Sequence, residues 1–418
     1  MNKYTYDVSN KQDVEFITNL RGEKGLPITA ATSYSLTKED VTFPAAVIKK
    51  SALENNMLWM QNFADSQNVK LCPHGKTTMT PAFFEQQKQT GAWGITVATI
   101  IQAEVAAKAG ISNIIMANQL VGKTNIAMAE RLMTEYDCTF YCCVDSLGNV
   151  DKLNRHFANT DKKLNVLLEM GVQGGRCGCR TESEAMSLAQ HINESEGLTL
   201  AGLEFYEGVI HGGDEEAQVR AFLHSTINLT KTLISDKLLP ENPIVTGAGS
   251  AWYDIVAELL GKEDAFNAVI RPGCYVIHDT GIYLDAQNKV MTRLNQNKVC
   301  DINGDLSSSL EVWTTIISKP ESTKAVALMG KRDVAFDEGL PTPERAFRDG
   351  VNIDCPPMIS TAVMDQHTFI ELPDNNDLQT GDIVVFSTSH PCITFDKWKY
   401  IGIVDDNDNI IQWVTTAF

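Results

Sequence analysis

Five stretches of the chain carry residues whose types and spacing can do chemistry. In Leu71-Cys-Pro-His-Gly-Lys-Thr-Thr-Met-Thr-Pro81 an apolar run, Asn68-Val-Lys-Leu-Cys72, stops at Pro73, and helical character begins near Thr78. Lys76 therefore falls at the carboxyl end of a strand, where α/β folds meet their ligands, and an amine so placed can form an imine. Glu169-Met-Gly-Val-Gln-Gly-Gly-Arg-Cys-Gly178 is a loop whose glycines permit close backbone approach to a ligand, with Arg176 its strong donor; by itself it reads equally as a flexible surface loop. Glu204-Phe-Tyr-Glu-Gly-Val-Ile-His211 brings Tyr206 and His211 to a strand end, where a tyrosine hydroxyl can serve a ligand or simply pack.

The fourth stretch, Val245-Thr-Gly-Ala-Gly-Ser250, precedes a helix read over Ala251–Leu260 with Ser250 as its N-cap. Backbone N–H groups at a helix start, unobstructed at Gly247 and Gly249, make Thr246, Gly247, Gly249 and Ser250 candidates to hold a dianionic phosphate. Gly-x-Gly alone is a common turn; its position gives it weight. The fifth stretch contains His390-Pro-Cys392. Two residues apart in an extended segment, the two side chains project to one side and can share a metal ion. With 8 His and 10 Cys in the chain, that spacing also arises readily by chance.

The elements that must position these residues alternate. Apolar or β-branched runs at Val69–Cys72, Gly94–Ala98, Asn113–Ala117, Thr139–Asp145, Leu164–Met170, Leu200–Tyr206, Ile244–Thr246 and Ala268–Ile270 read as eight strands. Between them lie helical stretches at Pro81–Gln89, Ile101–Ala109, Lys123–Glu135, Gly148–Ala158, Thr181–Asn193, Glu215–Ser235 and Ala251–Leu260. Alternation of this kind implies parallel strands joined by crossovers, and eight of them fit a closed (β/α)8 TIM-type barrel better than an open sheet. Past Asp279 the texture changes to short strands with turn signals, at Tyr283–Ala286, Val290–Arg293, Leu310–Ile317, Lys324–Met329, Gly381–Phe386 and Ile401–Val404, with no long helix. The expected fold is therefore α/β, a barrel plus a C-terminal mainly-β domain. Residues 1–45 form an arm joining the β-domain, 46–279 the barrel, opening on a helix over Ala46–Phe63, and 280–418 the β-domain with the metal pair.

Hydrophobic content of 43% and charged content of 21% are those of a globular protein. A formal net charge of -18 with no concentrated basic face argues against nucleic-acid and anionic-membrane partners. The amino terminus lacks an apolar core of signal-peptide length, and no run approaches a membrane span, so the expected location is the cytoplasm. The cysteines show no disulfide spacing; Cys142-Cys143 and Cys177-x-Cys179 read as buried thiols.

Pro73-His-Gly-Lys-Thr77 resembles the Pro-His-x-Lys-Thr signature of the fold-type III, alanine racemase-like pyridoxal phosphate enzymes related to D-serine dehydratase and D-threonine aldolase. The resemblance implies that Lys76 carries the cofactor as a Schiff base; Cys72 stands where that family has arginine. Gly202-Leu-Glu-Phe-Tyr-Glu-Gly208 is similar to the segment of the dehydratase relatives that contains Tyr206. In Ile270-Arg-Pro-Gly-Cys-Tyr275, Arg271 matches the alanine racemase branch and Tyr275 the aldolase branch, which implies a cofactor contact for Tyr275 and a weaker assignment for Arg271. His390-Pro-Cys-Ile-Thr-Phe-Asp-Lys-Trp398 resembles the dehydratase branch, in which His and Cys bind a divalent metal. Thiolate and imidazole favour zinc over magnesium and leave positions open for water and substrate. The resemblance further implies a homodimer and a dehydratase of D-3-hydroxy amino acids, D-serine above others. The rival chemistries are retro-aldol cleavage of a D-threonine-like substrate, racemisation, and cofactor binding without turnover.

Overall fold

Eight short parallel strands curl into a barrel in the computed structural model, which describes residues 3–297, 303–354 and 357–418. In chain order they are β1 (Lys70–Leu71), β2 (Ile95–Val97), β3 (Asn113–Gln119), β4 (Thr139–Val144), β5 (Leu164–Met170), β6 (Leu198–Phe205), β7 (Ile244–Gly247) and β8 (Asn267–Ile270). Each pairs with the next from β2 to β8, and β8 returns to β1 through Val269–Lys70 and Ile270–Leu71. The last seam closes just past the strand ends. Trp93 N–H donates to the Leu71 carbonyl and Thr96 N–H to that of Pro73, both at 2.8 Å. The predicted barrel is thus the observed one.

Local signals explain the crossovers. Pro81 opens the helix Pro81–Thr90 at its first turn, where a missing N–H costs nothing. Thr181 and Glu184 form a reciprocal capping box on Glu182–Asn193, and Asp214 accepts from Ala217 N–H at the head of Glu215–Ser235. Inside the barrel Cys72, Ile115, Leu167, Ile244 and Val269 make a separate apolar plug. It floors the barrel beneath the strand ends, so polar chemistry is confined to the rim above.

Three segments differ from the sequence expectation. Val47 and Ile48 belong to a strand, Ala45–Lys49, and the helix begins at Lys50 and runs to Ser66. The pair is buried from both sides by Leu310–Trp313 and Gly402–Val404, so a β-branched doublet goes to the sheet while helical spacing holds from Leu53 onward. The polar arm contains a helix, Lys11–Asn19, capped by the Asn10 side chain, as well as two short strands. Tyr283–Ala286 and Val290–Arg293 are not strands: they lie in one helix, Ile282–Asn297. Asp279 Oδ1 accepts from the N–H groups of Gly281, Tyr283 and Leu284, and Gln287, Val290 and Leu294 are buried at helical spacing. A four-residue segment is too short to display that period.

The remaining strands, with those of the arm, build a largely antiparallel sheet system of twelve strands. Its core packs Trp313 on Phe347 with ring centroids 5.3 Å apart and Tyr34 edge-on to Trp413. The arm and the C-terminal half therefore share one core. No helix among the described residues is long and apolar enough to cross a membrane.

Candidate active site

A cavity of about 570 Å³ lies at the carboxyl ends of the barrel strands, lined from the barrel by Lys76, Glu169, Arg176, Glu204, Tyr206 and Arg271 and from the β-domain by His390, Cys392 and Asp396. Lys76 sits on a single 3-10 turn, Gly75–Thr77, directly after β1. A Cβ at Gly75 would stand 2.7 Å from ring carbons of Phe84, so glycine lets the turn settle against the barrel wall. Its neighbours Gly75 and Thr77 are buried while the Lys76 side chain is exposed to the cavity. His74 is pinned by its backbone to Pro272, and its Nδ1 is buried with no partner. Burial, and then the charges of Lys76, Arg271 and Arg176, hold its pKa well below the imidazole range. A neutral imidazole surrounded by cations marks a cavity built for an anion.

Two carboxyl groups missed by the sequence reasoning share the floor. Glu169 on β5 and Glu204 on β6 are register partners in adjacent parallel strands, so both project inward at one level. Arg271, immediately after β8, is buried and pairs with Glu204 while also donating to the Phe205 carbonyl at 2.9 Å. Glu169 receives only the Gln119 amide, and burial, followed by the Glu204 charge, pushes its pKa up to about 8. Ligand atoms of Cys143, Glu169 and Glu204 lie within 4.8 Å of one another, a spacing a metal ion could use. The Arg271 guanidinium already neutralises that cluster, so it is a proton-sharing site and not a cation site. The signal was available: both acids stand at the last turns of predicted strands, where a charge has no packing role.

The phosphate loop departs from expectation. The following helix starts at Tyr253, not Ala251, and Trp252, not Ser250, occupies its N-cap. The N–H groups of Ala248 and Gly249 donate to the two carboxylate oxygens of Glu207, at 3.1 and 2.9 Å. Glu207 is fully buried, and this pair of hydrogen bonds holds Ala248 in left-handed backbone at φ 72°. The Gly249 amide expected to meet phosphate is therefore already satisfied, although Gly249 and Ser250 do line the cavity. A Cβ at Gly249 would sit 2.8 Å from Tyr206, whose ring stacks under the Arg176 guanidinium at 4.5 Å. Thr246 and Gly247 are buried below the cavity; Thr246 Oγ1 has no partner, and a Cβ at Gly247 would run into the Phe205 ring at 2.1 Å. Tyr275 does not reach the cavity. Its buried hydroxyl accepts from Gln87 Nε2 at 3.0 Å on the outer side of the barrel wall. His211 is exposed and is not among the cavity-lining residues.

His390 and Cys392 are not in an extended segment: His390 precedes a five-residue helix, Pro391–Phe395, that carries Cys392. The turn still brings the imidazole against the thiol. Contacts from Cys274 and His390 hold the Cys392 thiol well below its usual range, and the Cys392 contact, followed by that of Asp337, lifts His390 to about 9. Asp337 Oδ2 lies 2.7 Å from His390 Nδ1 and so orients the ring. Cys392 Sγ is 3.5 Å from Thr77 Oγ1, so the pair adjoins the Lys76 turn.

Both implied groups fit these residues. Lys76 opens into a cavity whose buried Glu204 Oε2, Arg271 Nε and His74 Nδ1 are unpartnered, a lining that suits a polar anionic cofactor. A thiol poised as thiolate beside a carboxylate-oriented imidazole suits a soft divalent ion.

Residues 48–279 match the family model for the alanine racemase N-terminal domain, and residues 309–404 match that for a putative serine dehydratase domain. A D-threonine aldolase of Arthrobacter sp is 24% identical over 399 residues, covering 94% of this chain and 96% of that protein. The crystal structure of D-threonine aldolase from Filomicrobium marinum superposes with a TM-score of 0.75 at 24% identity, over 92% of this chain and 97% of that one. D-threo-3-hydroxyaspartate dehydratase from Delftia sp. HT23 gives 0.70 at 20% identity, over 91% and 99%. A variant of a D-threo-3-hydroxyaspartate dehydratase is solved in a metal-free form, with a TM-score of 0.69 at 20% identity over 91% and 98%.

Proposed function

From the premise that the chain belongs to the alanine racemase-like family of fold-type III pyridoxal phosphate enzymes, within its aldolase and dehydratase branch, we propose that it is a zinc-dependent dehydratase of D-3-hydroxy amino acids. D-Serine is the preferred substrate in this reading, and pyruvate and ammonia are its products. The observation that carries it is the 3.5 Å contact between Cys392 and Thr77, the residue next to Lys76, which supports a metal pair acting beside the amine. When bound there, pyridoxal phosphate supplies an electron sink at Cα and zinc supplies a Lewis acid for the departing hydroxide.

The chain's own residues divide the remaining work. Lys76 holds the cofactor and takes the Cα proton. Arg176 has no carboxylate within ion-pairing distance among the described residues, and its stacking on Tyr206 fixes it as the donor for an anionic group of cofactor or substrate. Gly249 and Ser250 would face the cofactor phosphate, and Arg271, anchored by Glu204 and the Phe205 carbonyl, lines the base of the cavity. His390, oriented by Asp337, and Cys392 would hold the ion. Tyr275, Thr246 and Gly247 serve as wall and not as contacts.

The test is an assay of 2-oxo acid and ammonia across D- and L-3-hydroxy amino acids, with and without chelator. Release of 2-oxo acid and ammonia from D-serine, lost on chelation, is expected; undiminished activity in metal-stripped protein would count against the zinc role. The end-to-end likeness to a D-threonine aldolase favours a second reading, retro-aldol cleavage, and glycine plus an aldehyde as products would establish it. The reading includes an arm of residues 1–45, a barrel of 46–279 and a β-domain of 280–418, assembled as a cytoplasmic homodimer.

A further inference from the structure

Cys274 follows β8, and its Sγ lies 3.3 Å from that of Cys392 across the junction of the two sheets. Both are free thiols. The contact is built and not incidental, because the two segments are fastened side by side. Thr280 N–H donates to the Thr388 carbonyl at 3.2 Å, and Thr280 Oγ1 and Ser387 Oγ are 2.7 Å apart. A Cβ at Gly281 would fall 2.6 Å from Ser389 Cβ, so the backbones touch. Thr77 Oγ1 stands 3.6 Å from Cys274 Sγ and 3.5 Å from Cys392 Sγ, bracing the pair from below. Closing 3.3 Å to a bond of about 2.05 Å asks each sulfur to swing only about 0.6 Å, a side-chain rotation.

We propose that Cys274 and Cys392 are a redox pair that hydrogen peroxide closes to a disulfide, withdrawing Cys392 from the metal. Both cysteines line the cavity, and Cys392 is the more exposed of the two while Cys274 is buried, so peroxide meets Cys392 first. The Cys392 sulfur attacks one peroxide oxygen, the O–O bond breaks, water leaves, and a sulfenic acid remains. The Cys274 sulfur then displaces the hydroxyl as a second water, forming the S–S bond. Two thiols lose two electrons and two protons, and the peroxide takes up both. Without Cys274, continued oxidation of Cys392 would run to sulfinic acid, which thiols do not reverse. The disulfide stands on the contact alone; its effect on activity rests on the metal reading above.

Holoenzyme treated with hydrogen peroxide, alkylated and digested without reduction is expected to yield a Cys274–Cys392 linked peptide. A zinc-indicator dye should register release of bound metal in step, and dithiothreitol with added zinc should restore dehydratase activity. In Cys274→Ala the linked peptide disappears and dithiothreitol no longer rescues, because Cys392 is found as sulfinic acid; Cys274→Ser serves if the alanine variant fails to fold. A wild-type digest with Cys392 as sulfinic acid and no linkage overturns the proposal. Linkage with metal and activity retained upholds the disulfide and refutes the metal reading instead.

Discussion

Substituting Glu169 by glutamine should change stability in opposite directions depending on what stands at position 204. In the wild-type background burial and the Glu204 charge push Glu169 up to about 8 from the ordinary glutamate value of about 4.5, so the folded chain keeps a proton that the unfolded chain sheds. Stability is then fully present below about pH 4.5 and is lost as pH rises toward 8. Integrating between pH 5.5 and 7.5 gives a loss of about 2.5 kcal/mol that Glu169→Gln would not suffer. The variant should therefore gain on the wild type by that amount across the window. In a Glu204→Gln background the Arg271 guanidinium loses its carboxylate partner, and Glu169, freed of its like-charged neighbour, ionises in its place. Adding Glu169→Gln there leaves a buried guanidinium with only the Phe205 carbonyl, at a cost of roughly 3–5 kcal/mol. Urea unfolding of cofactor-free protein at both pH values, followed by far-UV circular dichroism, measures the four-cornered cycle. Effects that add within about 0.5 kcal/mol, or a gap that does not widen with pH, would refute the assignment of one shared charge to this floor.

Lys76→Ala should abolish both the visible band of the lysine-bound cofactor and its fixation by borohydride, with activity falling by several orders of magnitude. Cys392→Ala, or chelation of the wild type, should leave that band in place and remove dehydration, read as 2-oxo acid formation. Asp337→Asn should weaken zinc binding about 10- to 100-fold in a chelator competition while leaving the cofactor band unmoved, because the Nδ1 partner that orients His390 is lost. Gly247→Ala should cost about 1–3 kcal/mol in unfolding free energy, since its methyl would overlap the buried Phe205 ring.

The alternation of eight apolar runs with helical stretches was enough to write the barrel, because parallel strands buried on both faces must be apolar and their crossovers must be helices. Lys76, Arg176, Tyr206, Gly249, Ser250, His390 and Cys392 were legible for a related reason: each follows a strand or a punctuating proline or glycine, and all line one cavity. What the linear chain withheld were partnerships made across it. Whether the amides after β7 face a ligand depends on Glu207, some forty residues earlier, whose carboxylate occupies them. Tyr275 lost its expected place because Gln87, on the far side of the wall, holds its hydroxyl. The contact between Cys274 and Cys392 spans a sequence separation of 118, and the Glu169–Glu204 pair exists only through strand register. Local pattern determines element type because it acts through neighbouring backbone groups, whereas proton sharing, sulfur contacts and satisfied amides depend on distances that only the closed barrel and its docked sheet set.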